Sequence, residues 1–269
     1  MDVREPVVII TGGSAGIGKA TAQSFAQQGS RLVLVARHGD PLRQVALELE
    51  RQWNTEVMTI PMDTRDPEDC RRVANQTLER FGQIDVLINN AGICLSGAFA
   101  DTTLADWQEV FNVNLWGYVQ MIQAVLPTMV TQQRGQIVNV GSLGGKVPFP
   151  KMSAYCASKY AVAGLTASLR LELHPLGIGV SAVHPGVVRS DFLQRAMFIG
   201  DANQQAQLRQ SLQQAQDNSW LSSDPETVAA AIWEATLTNP AEITVGWVAA
   251  LDKAYQFFPD GVGSLLRGA

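Results

Sequence analysis

Tyr155 and Lys159 lie four residues apart in SAYCASKYAVAGLTASL, and Ser142 precedes the tyrosine by thirteen. On a helix, residues i and i+4 project from one face, so an ammonium at 159 can stand beside a phenol at 155. A cation about 4 Å from a phenol contributes roughly 4 kcal/mol at an effective dielectric of about 20, against about 1.4 kcal/mol for each unit of pKa. At the limit this draws a phenol from about 10 towards about 7, and burial opposes it. Tyr155 is therefore a candidate proton donor and acceptor near neutral pH, with the Ser142 hydroxyl as a second hydrogen-bonding group. A YxxxK spacing alone also fits an exposed Tyr on a Lys-bearing helix, and Ser142 alone fits a turn hydroxyl after a strand. The weight of the set comes from what surrounds it.

The elements that would position these residues alternate. Apolar, β-branched runs predict strands at Val7–Thr11, Arg31–Ala36, Val57–Pro61, Val86–Asn89, Gln136–Gly141, Gly179–His184 and Ile243–Val245. Between them, amphipathic stretches predict helices over about 16–28, 41–51, 67–81, 104–130, 153–174 and 225–237. Seven strands joined by crossover helices imply an α/β fold, a doubly wound parallel sheet in one domain over 1–269. Residues 191–223 are rich in Gln and show no strand character, which suits a helical lid over a substrate cleft, with a surface helical excursion as the alternative. The tail at 253–269, KAYQFFPDGVGSLLRGA, carries Tyr255, Phe257, Phe258, Leu265 and Leu266 in an apolar run broken by Pro259, Gly261 and Gly263. Packing on a partner subunit or on the chain itself is favoured there over peripheral contact with a membrane.

Composition narrows the function classes. The 269 residues are 46% hydrophobic and 17% charged, with a net charge of -5, which gives a well-filled core and no basic footprint for nucleic acid. Cys70, Cys94 and Cys156 are too few and too scattered for a disulfide framework or a zinc site, so no metal is expected and a cytoplasmic location fits. Cys156 adjoins Tyr155, yet no His lies near it in sequence, and a packed thiol is favoured over a nucleophile.

Near the N-terminus, TGGSAGIGKA follows a strand and opens a helix. Gly12 permits a tight turn, Gly16 allows close backbone approach and Gly18 lets helix and strand pack, while the helix N-terminus offers N–H donors to a pyrophosphate. The next strand ends at Ala36 and is followed by Arg37, where an NAD-binding chain would place an acid on the ribose diol. A guanidinium there pairs with a 2′-phosphate, so NADP(H) is the expected cofactor. Ser14, Lys19 and His38 stand close enough in sequence to assist. Asp63, after the third strand, can accept from an adenine amino group or serve as an Asx turn or cap. NNAG at the end of the fourth strand, with Asn90, Ala91 and Gly92, lets backbone approach the adenosine ribose.

Together these motifs closely resemble the short-chain dehydrogenase/reductase family in its single-domain branch. TGGSAGIG, with Ile17 between the last two glycines, matches TGxxxGIG; NNAG matches in full; Asn114 in FNVNLWG, Ser142 in IVNVGS and YCASK match the remaining catalytic motifs. HPGVVRS matches the segment after the sixth strand, bringing Pro185, Gly186, Val188 and Ser190 to the nicotinamide end, with Ser190 where many members have Thr. The resemblance implies a Rossmann-type sheet of order 3-2-1-4-5-6-7, with Asn114, Ser142, Tyr155 and Lys159 as catalytic residues. It also implies hydride exchange between NADP(H) and a small carbonyl or alcohol substrate, and homodimers or homotetramers joined through the helices bearing Asn114 and Tyr155. In that scheme Asn114 positions a carbonyl or water in a proton relay from Lys159. The tail resembles a C-terminal segment of steroid-dehydrogenase-like branches. A 3-oxoacyl-thioester reductase, a steroid or retinoid dehydrogenase and a broad carbonyl reductase stay open, as does a catalytically silent NADP(H) sensor on the same fold. Phe149, Met152, Phe192, Met197 and Phe198 flank the motifs and suggest an apolar pocket.

Overall fold

A computed structural model describes residues 5–218 and 222–268. Its main sheet contains β1 (Val7–Thr11), β2 (Arg31–Ala36), β3 (Val57–Pro61), β4 (Val86–Asn89), β5 (Gly135–Val140), β6 (Ile178–His184) and β7 (Glu242–Thr244). Every pairing is parallel, in the order β3-β2-β1-β4-β5-β6-β7. The crossover helices α1 (Gly16–Gln27), α2 (Gly39–Trp53) and α3 (Pro67–Phe81) connect the first four strands. Residues of β1, β2 and β4 are buried on both faces, which explains their near-continuous runs of Val, Ile and Leu. One apolar layer joins Val8, Leu32 and Val138 to α1, α2 and Ile232, and the other joins Ile9, Val33 and Ile137 to Val73 and Met121. Reversal of the strand order between β1 and β4 opens a crevice at the carboxyl ends of the strands, the place where open α/β sheets hold ligands.

The helix expected over 104–130 is interrupted. It divides into α4 (Leu104–Phe111) and α5 (Gly117–Gln132) around a π-helical turn at Asn112–Trp116. A wider turn inserts a residue without ending the helix, and here it brings Asn114, fully buried, against residue 93. Gly117 is required just after it, because a Cβ there would lie 3.0 Å from Thr64. A long helix α6 (Ser153–Leu173) carries Tyr155 and Lys159, and α8 (Pro225–Thr238) covers the sheet beside α1.

One further expectation needs correction. The stretch after HPGVVRS does contain strand: Met197–Phe198 pairs with Leu95–Ser96, and Ser222–Ser223 pairs with Val187–Val188, on either side of α7 (Ala202–Asp217). Such two-residue pairs tie both ends of the excursion to the sheet's loops, and they are too short to show a period in sequence. Residues 219–221 of the expected lid lie outside the described residues. In the tail, α9 (Val248–Phe257) is followed by α10 (Pro259–Gly268), with Pro259 at the start of the second helix. A proline at the first helical position gives up an N–H that would be unpaired anyway. Val262 of α10 is buried with Leu143, Val147 and Val248, so the tail packs on the chain itself behind Ser142, while Phe257, Phe258 and Leu265 stay exposed.

Candidate active site

A cleft of about 360 Å³ runs along the carboxyl ends of the strands, from Arg37, His38 and Asp63 at one end to Met152, Tyr155 and Phe192 at the other. Its floor begins at the β1–α1 turn. Gly12 and Gly16 adopt φ of +67° and +51°, and a Cβ at Gly12 would come 2.9 Å from the Asn90 amide. Such conformations favour glycine. Ala15 caps α1 without a side-chain acceptor, so the N–H groups of the first turn, at the cleft, are left to meet an anion. Thr11 stitches this turn to NNAG: its Oγ1 accepts from the amides of Asn90 and Ala91 at 2.8 and 2.9 Å, while Asn90 Nδ2 donates to the Thr11 carbonyl at 2.8 Å.

At the far end, Asp63 is gripped by Arg65. Arg65 Nε donates to both Asp63 oxygens at 3.0 Å and Nη2 to Oδ2 at 2.6 Å, while Nη1 donates to both Glu109 oxygens at 2.8 Å. These hydrogen bonds hold the Asp63 carboxyl below its ordinary value against the opposing effect of burial, and Arg37 adds a smaller electrostatic pull.

The other end brings Ser142, Tyr155 and Lys159 together, all buried and all lining the cleft. Ser142 Oγ accepts from the Gly144 amide at 3.0 Å and shares a hydrogen bond with the Tyr155 phenol. Lys159 Nζ donates to the Val140 carbonyl at 3.0 Å and stands 5.4 Å from the centre of the Tyr118 ring. The acidified phenol expected from the spacing is not what this geometry holds. Burial pushes Tyr155 above its ordinary value of 10, and the hydrogen bond from Ser142 only partly offsets it. The ammonium that was to acidify it is itself enclosed and turned onto a main-chain carbonyl, and burial draws Lys159 down to about 8. Cys94 and Cys156 flank the phenol with thiols that burial pushes up, Cys94 to about 12, so neither is an activated nucleophile.

Of the residues singled out in the sequence, Gly12, Ser14, Gly16, Ile17, Arg37, His38, Asp63, Asn90, Ala91, Gly92, Ser142, Tyr155, Lys159, Pro185, Gly186, Val188 and Ser190 all line the cleft. Gly18 and Asn114 stand behind its wall. A Cβ at Gly18 would fall 2.1 Å from the Gly12 carbonyl oxygen, and the Asn114 side chain bonds the main chain at Ile93 and the Ser158 hydroxyl. Phe149, Met152 and Phe192 face the cleft, whereas Met197 and Phe198 do not: they pair with Leu95 and Ser96 and fill the packing beneath. Lys19 is drawn away to Glu48 at 2.6 Å. Sequence reading missed Thr11, Val140, Tyr118 and Leu212. Thr11 sits within the glycine motif itself, whereas Val140 acts through a main-chain carbonyl that no residue type reveals.

Behind Ser142 lies a buried histidine. His184, fully enclosed, sets Nδ1 3.3 Å from the Ser142 carbonyl and Nε2 3.5 Å from Glu242, which also takes Lys146 at 2.5 Å.

Comparison with known proteins decides the family. The sequence model of the short chain dehydrogenases matches residues 6–197, from just before β1 to Met197. The chain belongs to the short-chain dehydrogenase family. Among its relatives, an uncharacterized oxidoreductase of Staphylococcus saprophyticus is 36% identical over 70% of this chain and 80% of its own length. An 11-beta-hydroxysteroid dehydrogenase A of Sesamum indicum is 38% identical over 73% of this chain, and the match spans 56% of the sesame protein. A short-chain dehydrogenase structure from Streptomyces avermitilis covers all of this chain, and 97% of its own is covered, at a TM-score of 0.82 and 31% identity. A short-chain dehydrogenase/reductase from Burkholderia phymatum, solved with NAD, gives a TM-score of 0.87 at 27% identity over 95% of this chain and 94% of its own. A metagenomic short-chain oxidoreductase solved with NADP gives 0.73 at 29% identity over 90% and 96%. As a family member the chain is an oxidoreductase whose relatives bind nicotinamide cofactors of both kinds.

Proposed function

We propose that this short-chain dehydrogenase interconverts a carbonyl and an alcohol on an apolar small molecule, with NADP(H) as its cofactor. The observation that carries the reading is the convergence of Ser142, Tyr155 and Lys159 on one end of a cleft whose other end presents Arg37. No acid stands at the end of β2 to meet a ribose diol. The cleft fits a dinucleotide: glycines at positive φ and the uncapped turn of α1 suit the pyrophosphate, and a Cβ at Gly92 would press on Asn114 Oδ1 at 3.3 Å.

When bound, the nicotinamide supplies or takes up hydride. Tyr155, kept protonated by burial, donates its phenolic proton to the substrate oxygen as negative charge develops there. Ser142 donates a hydrogen bond to the same oxygen and so favours the charged state over the neutral carbonyl. Lys159 would help hold the nicotinamide ribose, and its charge would favour the Tyr155 phenolate after it has given up its proton. Asn114 acts through residue 93, fixing the main chain that borders the Lys159 end of the cleft. Phe149, Met152, Phe192 and Leu212 give the substrate end its apolar lining, which favours a ketone or secondary alcohol with a hydrocarbon body. The sesame relative's name makes a steroid-type substrate the narrower form of this reading. The 191–218 excursion, with Phe192, Leu193, Arg195 and Leu212 on the cleft, serves as the lid. Exposed Phe99, Leu104, Trp116 and Leu171 near α4, α5 and α6 support a homodimer or homotetramer joined there.

Tyr155→Phe tests the chemistry: the variant is expected to bind NADPH as wild type does and to lose at least about 1,000-fold in turnover across a panel of ketones. Near-normal reduction would remove Tyr155 from the role of proton donor. A silent sensor, the rival reading, shows NADPH binding and no turnover in the wild type.

A further inference from the structure

The sheet register brings the ends of β2 and β3 together at the nucleotide end of the cleft. Ala36 of β2 stands opposite Pro61 of β3, and the Met62 amide donates to the Ala36 carbonyl at 3.0 Å. Continuing that parallel register sets Arg37 opposite Met62 and His38 opposite Asp63, across strands that lie about 4.8 Å apart. Arg37 and Asp63 both line the same end of the cleft. Arg37 is near enough to exert an electrostatic pull on Asp63, and a guanidinium and a carboxylate so placed would ordinarily pair.

Here they do not. Asp63 gives both oxygens to the Arg65 fork, and Arg65 is anchored from behind by both oxygens of Glu109. Two of the three carboxylates of α2, which begins two residues after Arg37, are occupied in the same way: Asp40 holds Arg43 at 2.9 Å, and Glu48 holds Lys19 at 2.6 Å. Among the described residues Arg37 has no carboxylate within ion-pair distance, while Arg31, Arg43, Arg65, Arg71, Arg72, Arg80, Arg134 and Arg189 all have one.

We propose that Arg65 is a specificity-determining residue for the cofactor: by holding Asp63, it leaves the Arg37 guanidinium free for the 2′-phosphate. The inference rests on the NADP(H) reading above and adds a positioning residue that does not itself line the cleft. Without Arg65, Asp63 turns to Arg37, and a phosphate must then displace a carboxylate before it binds. NADH, which lacks that phosphate, meets no such competition. The consequence is a change in preference, not a general loss of binding.

The test is the ratio of dissociation constants for NAD+ and NADP+, measured by calorimetry on the full chain in wild type, Arg65→Met, Asp63→Asn and the double variant. With these partly exposed groups, Arg65→Met is expected to lower the preference for NADP+ roughly tenfold. Adding Asp63→Asn removes the competing carboxylate and should return the ratio to within about threefold of the Asp63→Asn single variant. Any contact Asp63 makes to adenine is common to both nucleotides and cancels in the ratio. If Arg65→Met weakens both nucleotides equally, or if the double variant does not recover, Arg65 is structural and the inference fails while the NADP(H) reading stands. A wild-type preference for NAD+ instead removes the coenzyme reading itself. Should Arg65→Met not accumulate as folded protein, Arg65→Gln carries the same expectation at smaller size, because it keeps a donor to Asp63 and loses the charge.

Discussion

Asn114 and Ile93 exchange two hydrogen bonds: the Ile93 amide donates to Asn114 Oδ1 at 2.8 Å, and Asn114 Nδ2 donates to the Ile93 carbonyl at 3.0 Å. One side chain thus satisfies both main-chain groups of a residue that lies just past the end of β4, where the sheet no longer supplies partners. The π-helical turn at 112–116 delivers the amide to this place. Ser158 closes the set, accepting from Asn114 Nδ2 at 3.0 Å and donating to the Tyr155 carbonyl at 2.7 Å. The wall of the cleft, the interrupted helix and the helix bearing Tyr155 are therefore tied at a single amide.

Asn114→Ala should be costly for that reason. It leaves the part-buried N–H and carbonyl of Ile93 without partners, each at the low end of about 1–3 kcal/mol, so a loss of about 2 kcal/mol is expected in urea unfolding. An Asn114→Ala variant within 0.5 kcal/mol of wild type, a figure about the size of an ordinary surface change, would contradict the clamp.

Much of this was legible in the chain, and the reasons differ by level. The main-sheet strands betray themselves because β1, β2 and β4 are buried on both faces and must be apolar throughout. Cleft residues are legible where chemistry fixes the residue type, as at Gly12 and Gly16 with their positive φ. What was not legible depends on where side chains turn. Spacing places Lys159 beside Tyr155, but it does not reveal that the ammonium is enclosed on the Val140 carbonyl, so the sign of the phenol's shift came out wrong. Nor does it show that Met197 and Phe198 belong to a two-residue strand beside Leu95–Ser96. Nor does the broken apolar run of the tail show that a helix starts at Pro259.

Lys159 carries a cost to stability. Its ammonium titrates at about 8 in the folded chain and at the ordinary 10.5 when unfolded. Between these values the unfolded chain holds more protons, so the contribution of Lys159 to stability rises with pH from about 8 to 10.5 and is least favourable below 8. Lys159→Met should abolish turnover and yet gain up to about 3 kcal/mol at pH 7, less what is lost at the Val140 carbonyl. Subtracting the unfolding free energy of the variant from that of wild type, at pH 7 and at pH 10, isolates this group from the others that titrate. A difference that falls as pH rises would reverse the argument.

Glu242 shows the opposite linkage. The His184 ring at 3.5 Å, and then the Lys146 ammonium at 2.5 Å, hold it down to about 2 against burial. A carboxyl lowered in the folded state lends stability that is complete above about 4.5 and is lost as pH falls through about 2. Glu242→Gln should therefore destabilise at pH 6, by about 1 kcal/mol once solvent screening of this half-exposed group is allowed for. The gap should close progressively between pH 4.5 and pH 2. Unfolding curves with a constant gap across that range would mean that the His184 and Lys146 contacts do not depend on the charge.

Gly16 and Gly18 are two residues apart, and their alanine variants should fail in different ways. At Gly18 a Cβ would fall 2.1 Å from the Gly12 carbonyl oxygen and 2.8 Å from Asn90 Nδ2, so the β1–α1 turn must move, and with it the hydrogen bonds that join Asn90 to Thr11. Gly18→Ala is expected to lose several kcal/mol of stability or to accumulate poorly, as overpacking against main chain does. At Gly16 the nearest atoms to a Cβ belong to the Ser190 side chain, at 3.3 and 3.6 Å, and the added cost is the positive φ of +51°, about 1–2 kcal/mol. That cost lowers Tm by only a few degrees for a chain of this size. The methyl group does, however, intrude on the cleft floor where N–H donors face a pyrophosphate, so Gly16→Ala should fold and lose at least roughly tenfold in nucleotide affinity, about 1.4 kcal/mol. Thermal unfolding and nucleotide calorimetry on both variants separate the two effects. A Gly18→Ala protein that unfolds no more easily than Gly16→Ala would show that helix α1 does not depend on the close approach of Gly18 to the turn.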